Sequence, residues 1–236
     1  MQNRYSGDIG DYIKLGLLRH LSAGRNLGVA WYLYPDEGHN SDGRHISYLS
    51  DSEKWRHLDS KLFDALQKVV GGKRTVARLL QTGAIEPAEQ CKNPVMFNGE
   101  ARRRSQAREN WFRHNLRVLR NCDLIFADPD NGIIDDGEHR RRHRTFGKQM
   151  PLSEVLAISE GRSAVIYHHN TRFKGGHDME VGHWLAQLGP EAMAVRANAY
   201  SCRTFFIINP DKDLSERVKD FCNRWSDHKV WLHRQG

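Results

Sequence analysis

DLIFADPDNG, residues 123–132, decides how the chain is read. Its opening residues, 123–127, are a short and largely apolar run, as expected of a strand buried on both faces. Asp128, Pro129, Asp130, Asn131 and Gly132 follow at once, and all are types that end a strand and form a turn. Outward toward the C-terminus the same grammar repeats. A polar, arginine-rich loop spans 135–149, and Pro151 opens a helix that Gly161 closes. SAVIY at 163–167 is a second strand, and 179–188 a helix. Strands near 193–199 and 203–209 come next, then a helix marked by Leu214, Val218, Phe221, Cys222 and Trp225.

Toward the N-terminus, residues 101–120 form a basic helix whose apolar members include Trp111, Phe112, Leu116 and Leu119. Residues 71–100 are irregular or inserted, bracketed by Pro87 and Pro94. Trp55, Leu58, Leu62, Leu66 and Val69 recur at helical spacing, with Asp51 and Ser52 as capping groups. LGVAWYLY at 27–34 is a third buried strand, and Ile9, Tyr12, Ile13, Leu17 and Leu21 predict a helix over 8–22. Strands alternating with helices predict one α/β domain over 1–236, three-layered and Rossmann-like, with a mainly parallel sheet. The two consecutive late strands form its antiparallel edge.

The 236 residues suffice for one self-supporting core, and no apolar stretch is long enough for a membrane helix. Cys91, Cys122, Cys202 and Cys222 form no C-x-x-C pair and read as reduced thiols, which predicts a cytoplasmic protein. Thirty-six Lys and Arg against 29 acids leave a formal charge of +7, a balance that favours nucleic acid as partner.

In open α/β sheets ligands bind beyond the carboxyl ends of the strands. Three strands here end in reactive sequence: Tyr34-Pro35-Asp36-Glu37-Gly38, Asp128-Pro129-Asp130-Asn131, and His168-His169-Asn170-Thr171-Arg172. These ends predict one crevice. Its carboxylates, Asp128 and Asp130, offer a seat for Mg²⁺ or Mn²⁺ and hence a metal-dependent nuclease or phosphodiesterase. A non-catalytic reading rests on basic residues that suit phosphate contacts: Arg102, Arg103 and Arg113 on the basic helix, Arg140 and Arg141 in the loop, and Arg172.

Asp-Pro directly after an apolar strand also begins the Asp-Pro-Pro-aromatic motif of amino-group methyltransferases. The chain resembles the large-subunit ribosomal RNA adenine-N6 methyltransferases, the RlmJ-like family. The resemblance lies in Gly7-Asp8-Ile9-Gly10-Asp11-Tyr12-Ile13-Lys14 of the first helix, the strand 29–34, Asp128-Pro129-Asp130-Asn131, Tyr167-His168-His169, and Phe206-Ile207-Ile208-Asn209-Pro210. It implies a methyltransferase-type sheet and methyl transfer from S-adenosylmethionine to a nucleic-acid amino group. Lys14 and the loop Asp36, Glu37 and Gly38 would then face the cofactor. Asp128 and Asn131 would orient the acceptor amine, and His168 or His169 would either take its proton or pack and hydrogen-bond the loop. Glu86 stands for the acid that holds the cofactor ribose. The chain departs from the family where Asn131 replaces the stacking aromatic, a change worth about 1–3 kcal/mol of base stacking. It departs again where Pro35, Asp36 and Glu37 replace a glycine-rich turn.

Overall fold

The computed structural model describes residues 1–37, 43–94 and 100–233, without the side chains of 101 and 102. Helix α1 (Ile9–Leu21) begins at Asp8, whose carboxylate accepts the Asp11 N–H at 3.0 Å and so satisfies one donor of the open first turn. Strand β1 (Leu27–Trp31) follows. The predicted helix around Trp55 to Val69 is divided in two, α2 (Ser52–Trp55) and α3 (Ser60–Val70). The break lies at Asp59, which caps α3 by accepting the Leu62 N–H at 2.9 Å, a second start signal inside one apolar repeat. Helix α4 (Val76–Gln81) and strand β2 (Glu89–Cys91) organise the region expected to be irregular.

Helix α5 (Ala101–Val118) leads into β3 (Leu124–Asp128). The arginine-rich loop holds a short strand pair, β4 (Gly132–Ile134) and β5 (Gln149–Pro151), with helix α6 (Glu138–Arg141) between them. Helix α7 (Leu152–Ile158), strand β6 (Ser163–His169), helix α8 (Gly176–Leu188), strands β7 (Met193–Ala197) and β8 (Arg203–Ile208), helix α9 (Lys212–Arg224) and strand β9 (Val230–Leu232) complete the chain.

Seven strands form one sheet in the order β2-β1-β3-β6-β8-β7-β9. β2, β1, β3 and β6 pair in parallel, and the remaining three pairings are antiparallel. β8, β7 and β9 form the expected antiparallel edge, with β8 inserted between β6 and β7 and β9 at the rim. Side-chain alternation assigns each strand residue to a layer. Val29, Trp31, Leu124, Phe126, Val165, Phe205 and Ile207 pack with α1, α3 and α9, whereas Ala30, Tyr32, Ile125, Ala127, Ile166 and Phe206 pack with α5, α7 and α8. That is the expected three-layer α/β domain. Among the described residues no helix is long and apolar enough to cross a membrane.

Candidate functional site

The parity that sorts the core also builds the site. Asp128 continues the Leu124, Phe126 series and so turns toward the α1 layer at the carboxyl end of β3. Lys14 lies about one and a half helical turns into α1 and reaches the same point, its Nζ 3.0 Å from Asp128 Oδ2 and 2.7 Å from Asp11 Oδ1. Residues 114 positions apart in sequence thus share one ion cluster, with all three side chains buried. The rings of Trp31 and Tyr167 stand 5.7 and 6.0 Å from the Lys14 ammonium.

Around this cluster opens a cavity of ≈ 250 Å³, near the lower end of the size range of ligand sites. Asp8, Asp11, Lys14, Asp128, Asp130, Asn131, Tyr167, His169 and Arg203 all contribute to its wall. Asp130 is held by the Met1 amino group at 2.5 Å and by Gln2 Nε2 at 2.7 Å. Burial raises the pKa of Asp128 and of Asp11, and Lys14 opposes the rise in each. Burial works against the Lys14 ammonium too, but the two carboxylates outweigh it and keep its pKa above the ordinary lysine range. One cation between two carboxylates is the physical content: Lys14 stays charged, and its partners bind protons more readily than exposed acids do. Burial also pushes the Tyr167 hydroxyl up to about 12.

Lys14, Asp128, Asn131 and His169 therefore converge as the sequence led us to expect. His168 does not. β6 runs through His169, two residues beyond the predicted end, so the two histidines lie on opposite faces of the sheet. His169 is exposed at the cavity, in register with Arg203. His168 is fully buried in the α8 layer, where its Nδ1 accepts the Ile133 N–H at 3.0 Å and its Nε2 meets Glu180 Oε1 at 3.1 Å. The amide donor to Nδ1 leaves the ring proton on Nε2, aimed at Glu180. Both ring nitrogens are thus occupied, and His168 is a positioning residue for the strand that follows Asn131. Gly132 fits this contact through a φ of 86° and through having no side chain, since an added Cβ would lie 2.4 Å from His168 Nδ1.

The loop after β1 stands outside this cavity wall. Asp36 accepts the Arg4 N–H at 3.2 Å. Glu37 takes an ion pair from Lys148, and its backbone N–H donates to Gln2 Oε1 at 3.0 Å. Both residues fasten the loop to the N-terminal segment and neither reaches the cavity wall; Gly38 lies outside the described residues. Glu86 precedes β2, so it sits at the amino ends of the parallel strands, opposite the cavity.

Asp128 and Asp130 each face a different cation, and among the described residues no group of three or more His, Cys, Asp or Glu is placed to hold a metal ion. Of the basic residues, Arg103, Arg113, Arg141 and Arg172 are exposed and Arg140 is half-buried. Arg140 lies 3.6 Å from Asp135 and Arg141 4.0 Å from Asp136, while the side chain of Arg102 lies outside the described residues. Arg108, on the same helix as Arg103 and Arg113, points inward. It forms a two-pronged pair with Glu154, at 2.9 and 2.7 Å, beneath the rings of Tyr32, Trp111 and Phe146.

Sequence reasoning missed Arg203, Asp8, Asp11 and Tyr167 as wall residues. Arg203 opens β8, whose reversed direction brings its first residue to the carboxyl ends of its parallel neighbours; the signal was a charged residue at the head of an otherwise apolar strand. No family model matches the chain, and no curated protein matches it.

Proposed function

We propose that the chain is a methyltransferase-type enzyme that transfers a methyl group to an amino group of a nucleic-acid base in the cavity at the end of β3. The observation that carries the reading is the meeting of Lys14 with Asp128 at 3.0 Å, in a cavity also lined by Asn131 and His169. The resemblance assigns those residues to one site from distant parts of the sequence.

S-adenosylmethionine is the donor implied, and the wall suits its charged methionine end, since carboxylates and cations are both present. Asp36 and Glu37 stand outside that wall, bonded to Arg4, Gln2 and Lys148. When bound, the cofactor supplies an electrophilic methyl group. The chain's own work is positioning. The Asp128 carboxylate accepts a hydrogen bond from the acceptor amine, and the Asn131 side-chain oxygen can accept a second, which together aim the nitrogen lone pair. The raised pKa of Asp128 suits it to hold the proton that the amine releases. His169, exposed at the mouth, passes that proton to solvent. Tyr167 gives the cavity an aromatic wall. The exposed arginines of α5 and the residues around α6 suit phosphate contacts along the nucleic acid.

The test is transfer of a tritiated methyl group to bulk RNA and to DNA, followed by digestion to nucleosides. A labelled base with wild type, falling by at least about 100-fold in Asp128→Asn, is expected from the loss of a positioned acid–base group. Absence of label with both polymers, together with no binding of the donor, refutes the reading.

A further inference from the structure

Arg203 is a buried guanidinium at the cavity wall, 3% exposed, and among the described residues no carboxylate lies within ion-pair distance of it. Its Nη2 meets Ser201 Oγ, its Nη1 has one long contact to Ala199 O at 3.4 Å, and its Nε has no hydrogen-bond partner. The other buried arginines among the described residues, Arg108 and Arg196, each carry a carboxylate at 2.7 Å. A desolvated cation left without an anion is costly unless a ligand supplies one.

Asp8 stands opposite. Its Oδ1 caps α1, and its Oδ2 accepts no hydrogen bond among the described residues. Between the two charges lies bare backbone: a Cβ added to Gly10 would sit 3.0 Å from Asp8 Oδ1 and 3.2 Å from both Cζ and Nη2 of Arg203. A positive and a negative group thus flank one small cradle that glycine keeps open. A phosphate would satisfy Arg203 but would face the carboxylates of Asp8, Asp11, Asp128 and Asp130 in the same wall. An α-amino-acid group answers both charges, because its carboxylate and ammonium are attached to one carbon.

We propose that Arg203 and Asp8, on either side of Gly10, form a subsite for a zwitterionic α-amino-acid group, with the carboxylate on Arg203 and the ammonium on Asp8. The assignment rests on the reading of this cavity as a methyl-transfer site, and it fixes which end of the donor enters the α1–β8 side. It also explains why the reversed strand begins with a charged residue that the core does not use.

Isothermal titration of the full chain with S-adenosylhomocysteine, 5′-methylthioadenosine and L-methionine tests it. The second compound keeps the adenosine and thioether and lacks the amino-acid group. Arg203→Met and Gly10→Ala are the variants. Gly10→Ala leaves every charge in place and puts a better helix former in the first turn of α1, so it guards against misfolding of the strand variant. We expect both to weaken S-adenosylhomocysteine by about 10- to 100-fold, Arg203→Met through the loss of a charged hydrogen-bonding contact and Gly10→Ala through the methyl group that fills the cradle, while 5′-methylthioadenosine is unchanged. Equal S-adenosylhomocysteine affinity in wild type and both variants overturns the subsite and leaves the transfer reading standing. L-Methionine binding lost in both variants, without any binding of S-adenosylhomocysteine, supports the subsite and refutes the donor. No binding of any of the three compounds to wild type overturns the subsite.

Discussion

Glu180→Gln removes one charge at a point where four donors converge. The Glu180 carboxylate, buried on α8, receives His168 Nε2 at 3.1 Å, Asn170 Nδ2 at 3.1 Å, the Thr171 N–H at 2.9 Å and the Thr171 hydroxyl at 2.6 Å. Burial alone would raise its pKa; the hydrogen bonds outweigh burial and bring it from 4.5 down to about 2. A carboxyl whose folded pKa lies below its unfolded value contributes stability above the unfolded value. That contribution is lost as pH falls through the folded one, here between about 4.5 and 2. At about 1.4 kcal/mol per pH unit the gap is worth about 3 kcal/mol, and about 2 once the solvent-facing Thr171 is allowed for. Gln keeps the shape and offers one acceptor oxygen, while its amide nitrogen turns a donor toward donors. The Thr171 hydroxyl can rotate to accept, so about one donor is left unsatisfied, at about 1–3 kcal/mol. Urea unfolding followed by tryptophan fluorescence should therefore show Glu180→Gln about 2–4 kcal/mol less stable at pH 7, with the difference shrinking toward pH 2.5. A pH-independent difference, or one under about 0.5 kcal/mol at pH 7, would refute the account of the network. Hydrogen exchange adds a local reading, since the Ile133 amide is held by His168, which Glu180 orients. Faster exchange at Ile133 than at the β3 amides is expected.

Two further outcomes follow from the packing. Arg108→Met leaves the Glu154 carboxylate buried beneath aromatic rings without its cation, and should cost about 3–5 kcal/mol in the same urea assay; the double variant Arg108→Met with Glu154→Leu should recover most of that loss. Burial pushes the thiols of Cys91 and Cys222 up to about 12 and also raises that of Cys122, whereas Cys202 is half-exposed. Brief alkylation of the native protein at pH 8 with peptide mass mapping should mark Cys202 alone, and substantial labelling of Cys91 or Cys222 would contradict the core described for them.

The strands and the shared crevice were readable because β1, β3 and β6 are continuous apolar runs that stop at turn-forming residues, a pattern that burial on both faces enforces. Which of the two histidines packs and which faces the cavity was not readable, because a strand end misjudged by two residues says nothing about parity, and parity alone separates His168 from His169. The division between α2 and α3 was hidden for a related reason: Leu58 and Leu62 keep a helical repeat across a break whose only local signal is Asp59. Arg108 and Arg113 look alike in sequence, yet one enters the core and the other faces water, a choice made by Glu154 far along the chain. Arg203 depended on knowing that β8 is reversed and inserted, which local periodicity does not encode.

The Asp11–Lys14–Asp128 cluster bears on purpose because of where it sits. Asp8, Asp11 and Lys14 recur at three-residue intervals on α1, so one helix face carries them all toward the strand ends. The same face further along is Leu17, Leu18 and Leu21, fully buried against α3, α9 and the sheet. An apolar residue at position 14 would have extended that packing at no desolvation cost, and buried ion clusters are often no more stabilising than the apolar groups that could replace them. The helix changes from apolar to charged where it passes the tip of β3, and Arg203 and His169 arrive at the same level from β8 and β6. Four elements with different sequence contexts give up apolar packing at one place. Core stability does not ask for that coincidence; the ligand proposed above, with charges of both signs, would.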